Sequence, residues 1–253
     1  MTRRAIQMVT DAHPRLAGFD TALSHALLIR VASGEAGETL RLHRPGRVVA
    51  FGRHDTVTPG YREAVAAARS LGFEAVERLA GGRAAVFHEG TIAFAWAIPH
   101  PVPREGIRDR FAELAGIMVA AFRSVGVDAR IGEIPGEYCP GAYSVNAGGR
   151  VKVMGTGQRL VRGAAHVGGV VVVEGGEQVG KVLVPVYRAL GIPWDPSTAG
   201  DLVSEAPGTR FETVREAIID QFALRHRLVA GPVHPETLAL AARLAPQHVA
   251  PAD

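Results

Sequence analysis

The 253-residue chain is expected to fold as an α+β protein built on a mixed, mainly antiparallel sheet flanked by helices. Three observations predict this. Apolar residues recur at three- and four-residue spacing in several segments, most clearly from Ile107 to Gly126, which is a helix signal. Short β-branched and aromatic runs cluster in the middle of the chain instead of alternating strictly with helices. Glycine-containing turns separate those runs closely enough for the chain to reverse. Hydrophobic residues make up 47% of the chain and charged residues 21%, which supplies a sizeable core. The length fits one large domain or one domain with a small appendage.

Taken in order, Asp20 is expected to cap the helix TALSHALLIRVAS. LRLHRPGRVVAFG reads as two strands joined by a Pro-Gly turn. Thr58-Pro59 opens a helix through YREAVAAARSLG, since proline is tolerated in a first turn. A short strand FEAVER, a glycine loop LAGGR and the strands AAVFHE and TIAFAWAIP follow. In the helix from Ile107, residues Ile107, Phe111, Leu114, Met118, Ala121 and Phe122 fall on one face. VDARIGE, RVKVMG, QRLVRG and HVGGVVVVE complete a β-rich middle, with SVN between glycine turns. VGKVLVPVYRALG reads as a helix, with Pro185 working against its first half. WDPSTAGDLVSEAPG reads as a polar loop, and TVREAIIDQFALRHRL and PETLALAARLA as two last helices. Residues 1–204 are expected to form the main domain and 205–253 a C-terminal helical subregion packed on it.

Several function classes are excluded at this level. A net charge of only +3 makes no case for nucleic-acid binding. A single cysteine cannot form an intrachain disulfide and suits a reducing compartment. No apolar segment follows the early arginines as in a signal peptide, and no apolar run is long enough to span a membrane, so a cytoplasmic location is expected. The chain has no G-x-x-x-x-G-K-[ST], G-x-S-x-G, H-E-x-x-H or C-x-x-C. His88 and Glu89, adjacent on a strand, point to opposite faces and make a poor metal pair, so no metal is expected.

The stretch EYCPGAYSVNAGGRVKVMGTGQR, Glu137 to Arg159, holds the single cysteine, Cys139, and thirteen positions later Lys152. Lys152 and Lys181 are the only lysines among 28 lysines and arginines. A lysine kept where arginine is the default suggests a site that wants a compact ammonium. The ordinary alternatives are a cysteine used as a small core residue and a lysine on solvated surface. Earlier, RLAGGRAAVFHEG places Gly81-Gly82 after a strand, where backbone N–H groups can approach a ligand or simply form a tight turn. Later, His166 precedes an apolar strand, where histidine is more often structural than catalytic.

In type, order and spacing, three motifs resemble those of the biotin/lipoate protein ligase superfamily. They are Arg78-Leu-Ala-Gly81-Gly82, Gly149-Arg150-Val-Lys152-Val-Met-Gly155-Thr-Gly-Gln158-Arg159, and His166-Val-Gly168-Gly169. Tyr138-Cys139-Pro140-Gly141-Ala-Tyr143 is similar to the cysteine-dependent octanoyl/lipoyl transferase (amidotransferase) branch. The chain departs from that branch by an extra residue before Lys152 and by His88, which is closer to the ligases. The resemblance implies a biotin/lipoate ligase catalytic-domain fold, with residues 1–204 as the catalytic domain. It implies transfer of an octanoyl or lipoyl group to the lysine of a lipoyl carrier domain through a Cys139 thioester, with Lys152 stabilising the thiolate and the oxyanion. Arg78, Gly81, Gly82, Val86, Phe87, His88, Gly155, Gln158 and His166 are the implied substrate-binding residues, and Val86, Phe87 and Val153 are expected to line a slot for the alkyl chain. The implied partners are lipoyl domains of 2-oxoacid dehydrogenase E2 subunits and the glycine cleavage H protein, with acyl carrier protein as a candidate donor. No cofactor is required on this reading. The alternatives are a lipoate–protein ligase working through lipoyl-adenylate, which would need ATP and Mg, and a non-catalytic protein that binds lipoyl domains or acyl carriers.

Overall fold

A computed structural model describes residues 3–251. The outermost two residues at each end, which belong to the expected 1–204 and 205–253 regions, lie outside the described residues. Strands β1 (Ala5–Val9), β2 (Thr39–His43), β3 (Val48–Phe51), β4 (Glu74–Glu77), β5 (Ala85–Phe87), β6 (Thr91–Pro99), β7 (Ala129–Ile131), β8 (Val145–Ala147), β9 (Val151–Val161), β10 (Ala164–Val172) and β11 (Arg227–Ala230) form two sheets. The larger runs β11-β1-β2-β6-β10-β9-β8-β7 and the smaller β4-β3-β5. In the large sheet β1 lies parallel to β11 and β2, and the remaining neighbours are antiparallel. The chain therefore adopts the expected α+β class with a mainly antiparallel sheet.

The helices are α1 (Phe19–Ala32), α2 (Arg53–Thr56), α3 (Tyr61–Ser70), α4 (Ile107–Ser124), α5 (Gly176–Ala189), α6 (Leu202–Glu205), α7 (Phe211–Arg225) and α8 (Pro235–Leu244). Of the six residues expected on one face of α4, Leu114, Met118, Ala121 and Phe122 are fully buried. They meet Val214, Ile218 and Phe222 of α7 over Leu40, Leu42, Phe94 and Trp96 of the large sheet. A second core joins α3 and α5 to the outer face of the small sheet through Val49, Phe51, Ala75 and Val86. That apolar face carries α5 through Pro185: Val179, Val182, Leu183, Val186 and Tyr187 are all buried, and their burial outweighs one missing helix hydrogen bond.

Four local expectations change. Asp20 is not the cap of α1: Gly18 is, and Asp20 sits in the first turn. There its carboxylate accepts the His13 N–H and pairs with the fully buried Arg41, so a long-range charge has outcompeted a local cap. β2 and β3 are not a hairpin, because the chain crosses from the large sheet to the small one at Pro45-Gly46. RVKVMG and QRLVRG are one strand, β9, eleven residues long. After α7 the chain leaves the helix at His226 and pairs as β11 with β1, where sequence periodicity continues the helix. Beyond residue 205, α7 packs on α4, β11 extends the large sheet, and α8 packs on α1.

Candidate active site

A register shift prepares the site. β8 and β9 pair with Val145 opposite Met154 but Asn146 opposite Lys152, so β9 carries one extra residue, Val153. Val153 and Met154 consequently both enter the core beneath α4. Lys152 is left pointing at the loop that carries Glu137, Tyr138 and Cys139. The expectation that Val153 lines an acyl slot is not met, since Val153 is buried in the core beneath α4 and does not line the cavity between the sheets.

Lys152 is fully buried, and its ammonium has three partners: Glu137 Oε1 at 2.8 Å, the Tyr138 carbonyl at 3.0 Å and the Cys139 carbonyl at 2.7 Å. Glu137, also buried, accepts from Ser144 Oγ at 2.8 Å and from the Ile134 N–H at 3.0 Å. An ammonium has three protons, and all three are engaged within the chain. The network fixes the loop from Ile134 to Ser144 and with it the backbone of the cysteine.

Cys139 is the one non-glycine residue of the described chain with positive φ, at 44°. Its Sγ lies 3.2 Å from the Arg83 N–H and 3.5 Å from a guanidinium nitrogen of Arg78. Gly82, at φ 100°, makes this approach possible, because a Cβ there would lie 2.8 Å from the sulfur. Burial pushes the thiol up, but the charges of Arg78 and Lys152 and the Arg83 N–H outweigh it, leaving the pKa below that of an ordinary thiol. The thiolate fraction at neutral pH is raised accordingly.

Two cavities meet at the loop from Arg78 to Arg83. One, of about 110 Å³, lies between the two sheets. Alternate residues of the small sheet, Val48, Ala50, Val76 and Phe87, face it, together with Ala93 and Ala95 of β6 and Gly168 of β10. His43 and His166 also line it; burial lowers both, His43 well below the ordinary imidazole value and His166 to about 4, so both are neutral at pH 7. The other, of about 880 Å³, is open and is lined by His54, Gly82, Arg83, Glu133, Cys139 and Tyr187 among others. Arg78 belongs to both places, since it lines the apolar cavity and its guanidinium reaches the sulfur.

The structure thus brings together Cys139, Lys152, Arg78 and Gly82, with Gly155 beside the Lys152 stem. Gly81, in the same loop as Gly82, stands next to Gly157 of β9, and Phe87 and His166 are on the apolar cavity. Three expected residues stand elsewhere. Val86 points from the opposite face of β5 into the helical core, as strand alternation requires once Phe87 faces the cavity. His88 accepts the Gly90 N–H at 3.0 Å and packs against Gly90 and Gly175, holding a turn. Gln158 accepts from Arg110 at 3.1 Å and donates to the Ile107 carbonyl at 2.8 Å, anchoring the start of α4. Sequence reasoning missed Arg83, whose contribution is a backbone N–H that no side-chain pattern marks. It also missed Glu137, two residues before the cysteine, for which an acidic residue beside the lone thiol was the available signal. Among the described residues no cluster of three or more His, Cys, Asp or Glu could hold a metal ion, and no helix is long and apolar enough to cross a membrane.

Comparison with known proteins gives a consistent picture. The model of the lipoyl protein ligase A/B catalytic domain matches residues 17–223. An octanoyl-GcvH:protein N-octanoyltransferase of Geobacillus kaustophilus is 32% identical over 146 residues, which are 58% of this chain and 51% of that protein. The protein of the same name from Lysinibacillus sphaericus is 26% identical over 197 residues, 75% of this chain and 70% of the relative. The chain thus spans about half the length of the first relative. A lipoate-protein ligase A bound with ATP superposes with a TM-score of 0.78 at 18% identity, covering 98% of this chain and 95% of that one, a likeness of fold.

Proposed function

Because the chain belongs to the lipoyl protein ligase A/B catalytic-domain family, we propose that it transfers an octanoyl or lipoyl group from a thioester or acylated carrier onto the lysine of a lipoyl carrier domain, through a thioester on Cys139. The observation that carries this reading is the sulfur held by the Arg83 N–H and the Arg78 guanidinium at the junction of an apolar cavity and an open pocket.

With a thioester donor the Cys139 thiolate attacks the acyl carbonyl, a new C–S bond forms, and the donor thiolate leaves. The exchange of one thioester for another is nearly neutral in free energy, and amide formation drives the second half. As charge moves from sulfur to the carbonyl oxygen, the Arg83 N–H and Arg78 are the donors near enough to follow it. Lys152 has no proton free for that oxygen. Its part is that of a positioning residue: it ties the carbonyls of Tyr138 and Cys139 and adds positive charge behind the sulfur. The alkyl chain suits the cavity between the sheets, where Val76, Phe87 and Ala95 exclude water. No cofactor is needed when the acyl group arrives activated. ATP and Mg enter only with a free acid as donor.

The relatives' name points to an octanoylated GcvH as donor and a protein as acceptor. The test is a panel of octanoyl carrier thioester, octanoylated H protein and free octanoate or lipoate, each with and without ATP, read by intact mass of enzyme and acceptor. Adduct formation on Cys139 without ATP is expected. Transfer only from free acid with ATP and pyrophosphate release would replace this reading with a ligase.

A further inference from the structure

The second half of the proposed reaction needs a proton acceptor, and Lys152 does not qualify. An incoming lysine amine that attacks the Cys139 thioester must lose a proton as the C–N bond forms. The ammonium of Lys152 is paired with Glu137 and donates all three protons within the chain. The open pocket that Cys139 lines, where a carrier lysine can enter, offers other acceptors. The titratable residues that line that pocket with Cys139 are His54, Arg83, Glu133, Glu137 and Tyr187. Glu137 is consumed by Lys152, Ser144 and Ile134. Arg83 contacts Asp55 at 3.3 Å and is a cation throughout. Tyr187 donates to the Ala84 carbonyl at 3.0 Å, and burial holds its hydroxyl well above the usual phenol range. That leaves His54 and Glu133, of which an imidazole has the proton affinity suited to general-base work near neutrality.

His54 is also held where it is useful. It sits in α2, whose start is closed by the Asp55 carboxylate accepting the Gly52 N–H at 2.9 Å. Gly52 packs so tightly on the glycine loop that a Cβ there would overlap the Gly82 carbonyl. Gly82 in turn borders Sγ. The side chain of His54 is exposed into the pocket, and among the described residues only its backbone carbonyl is hydrogen-bonded, to Thr58. Its charged neighbours are Arg53 and Asp55 on its own helix and Arg83, Glu133 and Cys139 across the pocket.

We propose that His54 is the general base for aminolysis of the Cys139 thioester. This rests on the transferase reading given above. In the step, the amine nitrogen bonds to the acyl carbon and its proton passes to the His54 ring. The C–S bond then breaks with its electron pair returning to Sγ. The experiment separates the two half-reactions in unaltered chain and in His54→Gln. Cys139 is first loaded from octanoyl carrier thioester and the adduct followed by intact mass. Transfer to apo lipoyl domain, from limiting to saturating concentration, is then followed in single turnovers across pH 5 to 9. His54→Gln is expected to load at the unaltered rate and to transfer about 100-fold more slowly, so that the acyl-enzyme accumulates. The dependence of the transfer rate on pH should differ between the unaltered chain and the variant. Loading with undiminished transfer in His54→Gln overturns the role of His54 alone. A defect that disappears at saturating acceptor also overturns it, as docking rather than proton transfer. Failure of the unaltered chain to load overturns the transferase reading, and this inference with it.

Discussion

The two sides of the Arg78–Arg83 loop are built on different principles. On one side two sheets face each other across mostly apolar residues, and the space between them is narrow. On the other, an irregular loop is held by one buried ion pair and opens a pocket about eight times larger. The first side owes its shape to strand alternation and would tolerate a change of one methyl group with a graded loss. The second depends on a few polar groups that act together, so that losing any of them has a steep effect. The proposed reaction places its chemistry on the second side, where charge can be placed, and recognition of an alkyl chain on the first, where the lining is mostly apolar.

The largest expected effect is on the polar side. Cys139→Ala should abolish acyl adduct and transfer while leaving the circular dichroism spectrum and unfolding midpoint close to those of the unaltered chain; retained transfer would remove the thiol from the mechanism. Next, Lys152→Ala leaves the Glu137 carboxylate buried without its partner, which costs about 3–5 kcal/mol and is read from denaturant unfolding. The double variant Lys152→Met, Glu137→Met should recover much of that stability without recovering transfer. If Lys152→Ala were as stable as the unaltered chain, the ion pair would not be holding the loop.

A smaller effect is expected from the shared wall. Arg78→Met keeps the stem but removes the guanidinium, and an opposite charge near a thiol lowers its pKa. Removing that charge must therefore raise the pKa, so the midpoint of iodoacetamide alkylation against pH should move upward and the thiolate fraction at pH 7 fall several-fold. An unmoved midpoint would assign the lowered thiol pKa to Lys152 and the Arg83 N–H instead. The smallest effect belongs to the apolar side. Ala95→Val narrows the cavity and should slow octanoyl transfer by a few-fold while leaving butyryl transfer unchanged, and equal loss with both chains would show that the cavity does not hold the acyl group.

What could be read from the sequence follows the same division. Helix faces and strand runs were legible because apolar periodicity is a local property: Leu114, Met118 and Phe122 announce their side of α4. The cysteine and the lysine were legible because their residue types are scarce in this chain, and the glycine pair because it directly follows a strand. The register shift at Val153 was not, since it depends on how β8 lies against β9. Nor was the partnership of Asp20 with Arg41, 21 residues apart, or the exit of β11 from the end of α7. The Arg83 amide stayed hidden for a simpler reason: every residue but proline has one.

The backbone of Cys139 turns in a sense that side-chain-bearing residues avoid, at a penalty of about 1–2 kcal/mol. A thiol mounted this way has little liberty to swing after its target. In the proposed reaction both reactants bring their carbon or nitrogen to a stationary sulfur, so its speed depends on how well visiting carriers seat themselves at the rim.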